Sequence, residues 1–385
     1  MGNIGSRVIP VLLAVTGLVQ AQNTPTSGLE LNRLGKQLYL AARYAEAEAV
    51  YRRALQSFDG VDGQTSLNRA LTLGNLGVLL RTQGRYGEAE RSLSESLHRI
   101  ETFEGCDTLN FAVMASNLAS VYWALGELPK AEKLALRADA IFTDHRPNES
   151  MRGNRQILAS IYVAERRLED AEQLLLPLLE GANDQQAASI YNNLAAVNLG
   201  RGDYALAEER SRSAVDMARR GLPAIHPVLA ACLNNLAQSL RFQGHYLEAE
   251  KLYRDALSIW EQVYGPRHPD VARGLINLGA FYHEREREAG AEDLYLRGAA
   301  IYEQVYGPQD FRTLAARNEL ADVLRAERRY TESEKLARAT LPPLRQSLAA
   351  DDPVLTRALS NWARLEAEIE RAGRLAKVSQ SHPRE

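Results

Sequence analysis

Five asparagines recur at matching positions along this chain: Asn75, Asn117, Asn193, Asn235 and Asn277. A carboxamide both donates and accepts hydrogen bonds, so a row of them can hold an extended peptide backbone without reading its side chains, or else pack each repeat against its neighbour or its own loop. Arg81, Trp123 and Arg241 recur beside them, with His283 and Arg325 further on at the same position, and Arg273 lies four residues before Asn277. The chemistry of such a set is recognition rather than bond making. Catalysis needs convergent groups, and none are signalled. His283-Glu284 is followed by Arg287 where a zinc-binding helix would carry its second His. There is no Gly-rich phosphate loop, no Gly-x-Ser-x-Gly elbow and no calcium loop. Cys106 and Cys232 are the only two cysteines, too few for a disulfide framework and too far apart along the chain to be read as a pair. The chain is therefore read as a non-enzyme without metal or cofactor.

The composition fits that reading. Apolar residues make up 45% of 385 and charged residues 25%, the balance of a folded, soluble chain. With 46 basic and 49 acidic residues the net charge is -3, which argues against a protein that grips nucleic acid through its phosphates. At the amino terminus Arg7 precedes an apolar run from Val8 to Val19, and Val19-Gln20-Ala21 offers a cleavage site. That order predicts a signal peptide over 1–21, with an uncleaved anchor or a myristoylated Gly2 as the alternatives, and the run is too short for a membrane span of ~20 residues. The mature chain is expected to be exported, periplasmic or secreted, without stable membrane insertion.

What positions the asparagines is a repeat. EQVYGP occurs at 261–266 and again at 303–308, 42 residues on. A small residue marks each unit at Gly35, Gly77, Ala119, Ala159, Ala195, Ala237, Gly279, Ala321 and Ala363, in steps of 42, 42, 42, 40, 36, 42, 42 and 42. Eleven residues before each mark stands a helix-start residue: Thr24, Ser66, Thr108, Asn148, Asp184, His226, His268, Asp310 or Asp352. Both His residues precede Pro, which is favoured at the first helical position. A second small residue falls twelve after the mark, as at Ala89, Ala131 and Ala249, so that two helices can approach closely. The pattern predicts two helices per unit, eight units over 24–350, a capping helix over 351–376 and a frayed tail over 377–385. Arg166 and Glu286 replace the usual turn Gly; shortened helix ends are expected near the first and a late second helix after the other.

These residues resemble the tetratricopeptide repeat, best in the unit carrying Leu236, Ala237, Leu240, Gly244, Tyr246, Ala249, Tyr253 and Ala256. The 42-residue period, the His-Pro starts and the Asn-Asn-Leu-Ala core are similar to the kinesin-light-chain type. The resemblance implies an all-α, right-handed α-solenoid superhelix of helix-turn-helix repeats. It also implies a concave groove lined by the first helices, into which the five asparagines, Arg81, Trp123, Arg241 and Arg273 would point. Glu284, Glu319 and Asp322 would oppose the cations near the C-terminal end. The function expected is a scaffold that binds a peptide segment or partner protein, acidic or carboxylate-bearing, in that groove. The alternatives are a self-assembling structural envelope protein, a binder of an envelope polymer, and an enzyme with its site in the irregular middle repeats.

Overall fold

The computed structural model describes residues 27–58, 63–145 and 149–381. The expected signal segment, Thr24 and Asn148 lie outside the described residues. Those described form seventeen α-helices and one short 3-10 helix, an all-α solenoid without strands among them. The helices come in pairs: α1 (Gly28–Leu40) with α2 (Tyr44–Gln56), α3 (Gly63–Thr82) with α4 (Tyr86–Glu104), α5 (Leu109–Leu125) with α6 (Leu128–Asp144), and α7 (Glu149–Ala164) with α8 (Leu168–Leu175). They continue as α9 (Asp184–Arg201) with α10 (Tyr204–Gly221), α11 (Pro227–Phe242) with α12 (Tyr246–Tyr264), α13 (Pro269–Glu284) with α14 (Glu288–Tyr306), and α15 (Phe311–Ala326) with α16 (Tyr330–Ser347). The unpaired α17 (Pro353–Ser381) is longer than the 351–376 drawn from the sequence. Residues 382–385 are not described.

The helix starts follow local chemistry. Thr108, His226, His268 and Asp310 each accept a backbone N–H of the first turn, and Asp352 Oδ1 accepts from Val354 N at 2.7 Å. Two starts differ from expectation. Ser66 lies inside α3. Asn183 rather than Asp184 caps α9, because Gln186 three residues on closes a reciprocal capping box with it. The small residues do what their spacing requires: Ala119, Ala159, Ala195 and Ala237 are fully buried, as are Ala131, Ala171, Ala207 and Ala249 on the second helices.

The turn inside each pair needs one residue with positive φ. Gly244 supplies it at φ +82, a region that costs L-residues about 1 kcal/mol or more. Arg166 and Glu286 stand where Gly is absent, yet they hold φ +60 and +54, as do Ala42 and Arg328 at +56 and +62. The turn survives because packing of the two helices over-determines it. The expected late start of the second helix after Glu286 is thereby corrected, since α14 begins at Glu288, in register with α12. The pair near Arg166 is shortened: α8 has 8 residues before Pro177 removes a backbone donor and the chain tightens into the 3-10 turn Leu176–Leu179. Arg152 of α7 donates to the carbonyl oxygen of Leu178, satisfying that broken end.

The chain divides into two compact units, Met1–Leu79 with Arg91–Cys106, and Leu80–Glu90 with Asp107–Glu385. In the first, α1 packs on α2 around Leu31, Ala54 and Phe58. There Arg69 and Ser96 donate to the carbonyls of Leu55 and Ala70, at 2.9 and 2.6 Å. In the second, Trp260, Tyr253, Tyr295 and Phe281 are the bulkiest fully buried side chains of one continuous core. Each such side chain contributes about 1.5–3 kcal/mol when taken out of water. Consecutive first helices also touch one another there: α5 with α7, α7 with α9, α9 with α11, α13 with α15 and α15 with α17.

Candidate functional site

The asparagine row splits into two kinds. Asn75 Nδ2 donates to Asn32 Oδ1 at 3.0 Å, Asn235 to Asn192 at 3.0 Å, and Asn277 to Asn234 at 2.9 Å. Asn361, which the sequence reading did not single out, donates to Asn318 at 3.1 Å. Every acceptor lies 43 residues earlier, one register position before the equivalent rung of the preceding repeat. These carboxamides tie repeat to repeat, each contributing about 1 kcal/mol. Asn117 and Asn193 lack that acceptor: Gly74 stands at the position for the first, and the shortened step puts Gln156 there for the second. Their half-buried carboxamides make no side-chain hydrogen bond among the described residues.

Arg81 and Trp123 come together in a recess of about 170 Å³, beside Tyr86, His268 and Asp270. This recess sits on a seam that the sequence does not announce. Nε2 of His268 donates to the carbonyl oxygen of Thr82 at 3.1 Å, across 186 residues of chain. Arg312 donates to the carbonyls of Ala124 and Leu125 at the end of α5, and its guanidinium lies 3.5 Å over the Tyr306 ring. The Tyr306 ring in turn stacks on Tyr86, with centroids 5.8 Å apart. Burial depresses the His268 pKa, so its imidazole is neutral, with Nδ1 accepting the N–H of Asp270. Arg81 Nε is buried without a hydrogen-bond partner among the described residues. Trp123 is 42% exposed and spends its indole N–H on the carbonyl of Ser160 at 3.2 Å. Arg273 pairs with Asp270 at 3.0 Å at the edge of the same region and lies 4.9 Å over the Trp260 ring.

Arg241 belongs to a second, larger recess of about 680 Å³, lined by the first helices α11, α13, α15 and α17 and by Tyr295 of α14. It is balanced by ion pairs. Arg241 is 8% exposed and its guanidinium is paired with Glu284. His283 stands between Glu288 at 2.6 Å and Asp322 at 3.1 Å. Burial alone would lower the His283 pKa, but these two carboxylates outweigh it and raise it. Burial likewise pushes Asp322 up, while His283 and Arg325 prevail and hold it at about 2. Arg325 reaches Asp322 and Glu368, both at 2.6 Å. The sequence reading placed Arg241, His283, Arg325, Glu284, Glu319 and Asp322 on this face. It missed Arg357, Asn361 and Arg364, because the last helix was read only as a cap. Tyr295 was missed because its recurrence at repeat spacing marked it as core, which it also is.

Other chemistry is sparse. Neither cysteine is in a disulfide, and burial pushes the Cys232 thiol up to about 12. Among the described residues no three His, Cys, Asp or Glu side chains gather as metal ligands, and no helix is long and apolar enough to cross a membrane.

Comparison with known proteins agrees with this architecture. Tetratricopeptide repeat models match residues 29–102, 187–228 and 228–304. No curated protein matches the sequence. Among solved structures, a Rap protein complexed with competence and sporulation factor is similar at 15% identity and TM-score 0.57, over 90% of this chain and 98% of that one. The apo quorum sensor NprR of B. thuringiensis is similar at 14% and 0.59, over 87% and 92%. A putative kinesin light chain of Podosopora anserina with TPR-like repeats matches 50% of this chain and 94% of its own, at 20% identity and TM-score 0.42. At these identities the Rap and NprR structures speak for the fold alone. The matched repeats, their helix pairs and their 42-residue period together establish the family: this chain is a tetratricopeptide repeat protein.

Proposed function

We propose that this chain is a non-catalytic interaction scaffold whose first-helix face holds an extended segment of a partner protein. The observation that carries the reading is the recess of about 680 Å³ on α11, α13, α15 and α17, where side chains from four successive first helices converge. Asn117 and Asn193, whose carboxamides are not spent on neighbouring repeats, supply backbone donors and acceptors along the same row. An acidic group on the partner finds its counterpart at Arg81, since Arg241 and Arg325 already hold carboxylates. Export through residues 1–21 would put this scaffold in the periplasm or outside the cell. That structures of this fold include a Rap protein holding competence and sporulation factor is a precedent for the architecture.

The test is crosslinking of the full chain to a captured partner, with the crosslinked residues read by mass spectrometry. The reading expects one continuous partner segment attached to α9, α11, α13, α15 and α17. Crosslinks confined to the second helices would contradict it.

A further inference from the structure

Most of the buried charges of the larger recess are closely paired, and Glu319 is not. Arg241, His283, Asp322 and Arg325 each have a counter-ion within hydrogen-bonding distance, at 3.1 Å or closer. Glu319 does not. Its carboxylate makes no hydrogen bond among the described residues, and its nearest cation, Arg357, stands 3.9 Å away. The pair is unequal: the Arg357 side chain is 60% exposed and solvated by water, whereas that of Glu319 is 19% exposed. A carboxylate taken out of water without donors is costly, and burial raises its pKa accordingly.

A second, independent orphan lines the same recess. Tyr295 is fully buried, and its hydroxyl has no hydrogen-bond partner among the described residues. A buried hydroxyl left unsatisfied is unusual in a folded protein and asks for a reason. Tyr295 and Glu319 both line the recess. The recess therefore holds one carboxylate and one hydroxyl, both without a hydrogen bond among the described residues, beside exposed Arg357 and Arg364.

We propose that this recess contains a subsite for one basic side chain, lysine or arginine, of the bound segment, with the cation held by the Glu319 carboxylate and the Tyr295 hydroxyl. An ammonium or guanidinium carries several N–H donors and no acceptor, which matches a site of lone pairs. An anion would meet Glu319 directly and find only exposed arginines that water already solvates. The subsite rests on the peptide-scaffold reading and adds to it a specificity: the partner segment carries a basic anchor at a fixed position.

The experiment is selection of a random-peptide library on the full chain, on Glu319→Gln and on Tyr295→Phe, with thermal unfolding confirming that each variant folds. The parent is expected to select a motif with lysine or arginine at one fixed position. A synthetic peptide carrying that motif should bind Glu319→Gln at least tenfold more weakly, and Tyr295→Phe several-fold more weakly. The same peptide with norleucine at the anchor should bind all three chains alike. Tyr295→Phe removes only an unpartnered hydroxyl, so it carries the test should Glu319→Gln fail to fold. A motif without a fixed basic residue, or a basic preference that survives both substitutions, would overturn the subsite and leave the scaffold reading standing. No selected motif on any chain would overturn both.

Discussion

At the seam, Arg81 and Trp123 sit beside His268 and Asp270, and the contact between Thr82 and His268 spans 186 residues. In the larger recess, Arg241, His283 and Asp322 follow one another at roughly repeat spacing, on consecutive first helices. Both recesses use arginine and histidine, but to different ends. The seam arginine Arg312 divides its donors between Asp310, at 2.9 Å, and the carbonyls of Ala124 and Leu125, and lays its face on Tyr306, so it holds the chain together. The recess arginine Arg241 is matched with a single carboxylate, Glu284, whose side chain is 47% exposed and can exchange for another partner. The contrast separates a joint from the surface proposed to bind.

The largest expected effect follows from that contrast. Arg312→Ala should destabilise the fold by about 3 kcal/mol, since it strands Asp310 and two helix-end carbonyls, while Arg241→Ala should cost about half as much because Glu284 returns to water. Denaturant titration of both variants measures this, and equal losses would erase the distinction. Next come two glycines with the same left-handed backbone. A Cβ at Gly84 would stand 2.5 Å from Pro269 Cδ, whereas one at Gly244 would meet nothing within 4 Å. Gly84→Ala should therefore cost about 2–4 kcal/mol and Gly244→Ala about 1 kcal/mol, the difference being seam overpacking. Melting curves of the two variants decide.

Much of this architecture is legible in the residues. The spacing of small residues and capping residues locates the helix pairs, because close packing and unpaired N–H groups demand specific side chains at specific offsets. The cations of α11, α13 and α15 are legible for the same reason, since first helices in register present equivalent positions to one face. The seam is not legible. Nothing local marks Thr82 or Ala124 as the acceptor for a residue more than four repeats away; that pairing depends on the accumulated rotation of the intervening helix pairs, including the shortened α8. The role of Tyr295 is hidden differently, since its ring satisfies the core pattern and only its hydroxyl lacks a partner.

A smaller effect divides the asparagine row. Asn235→Ala should lose about 1 kcal/mol with its bond to Asn192, whereas Asn193→Ala should leave stability nearly unchanged and weaken the binding of a selected peptide. Paired denaturation and affinity measurements would show whether the two kinds of rung are distinct. The smallest effect is in pH, where the two regions should have opposite signs. The folded His268 pKa is depressed below its ordinary 6.5, so the seam's contribution is full above 6.5 and falls as pH drops toward the folded value. The folded His283 pKa is raised above 6.5, so the recess contributes fully below 6.5 and loses that contribution as pH rises through the folded value. Stability measured between about pH 5 and pH 8 should lose its acid limb in His268→Asn and its alkaline limb in His283→Gln.

The most direct test of the account is hydrogen exchange of the full chain with and without a library-selected peptide. The account predicts slowed exchange around residues 241–246, 283–288 and 325–330, where the recess meets the helix ends and turns, with the outer faces of the second helices unchanged. Protection confined to α10, α12, α14 and α16, with none at the recess, would contradict a binding surface on the first helices.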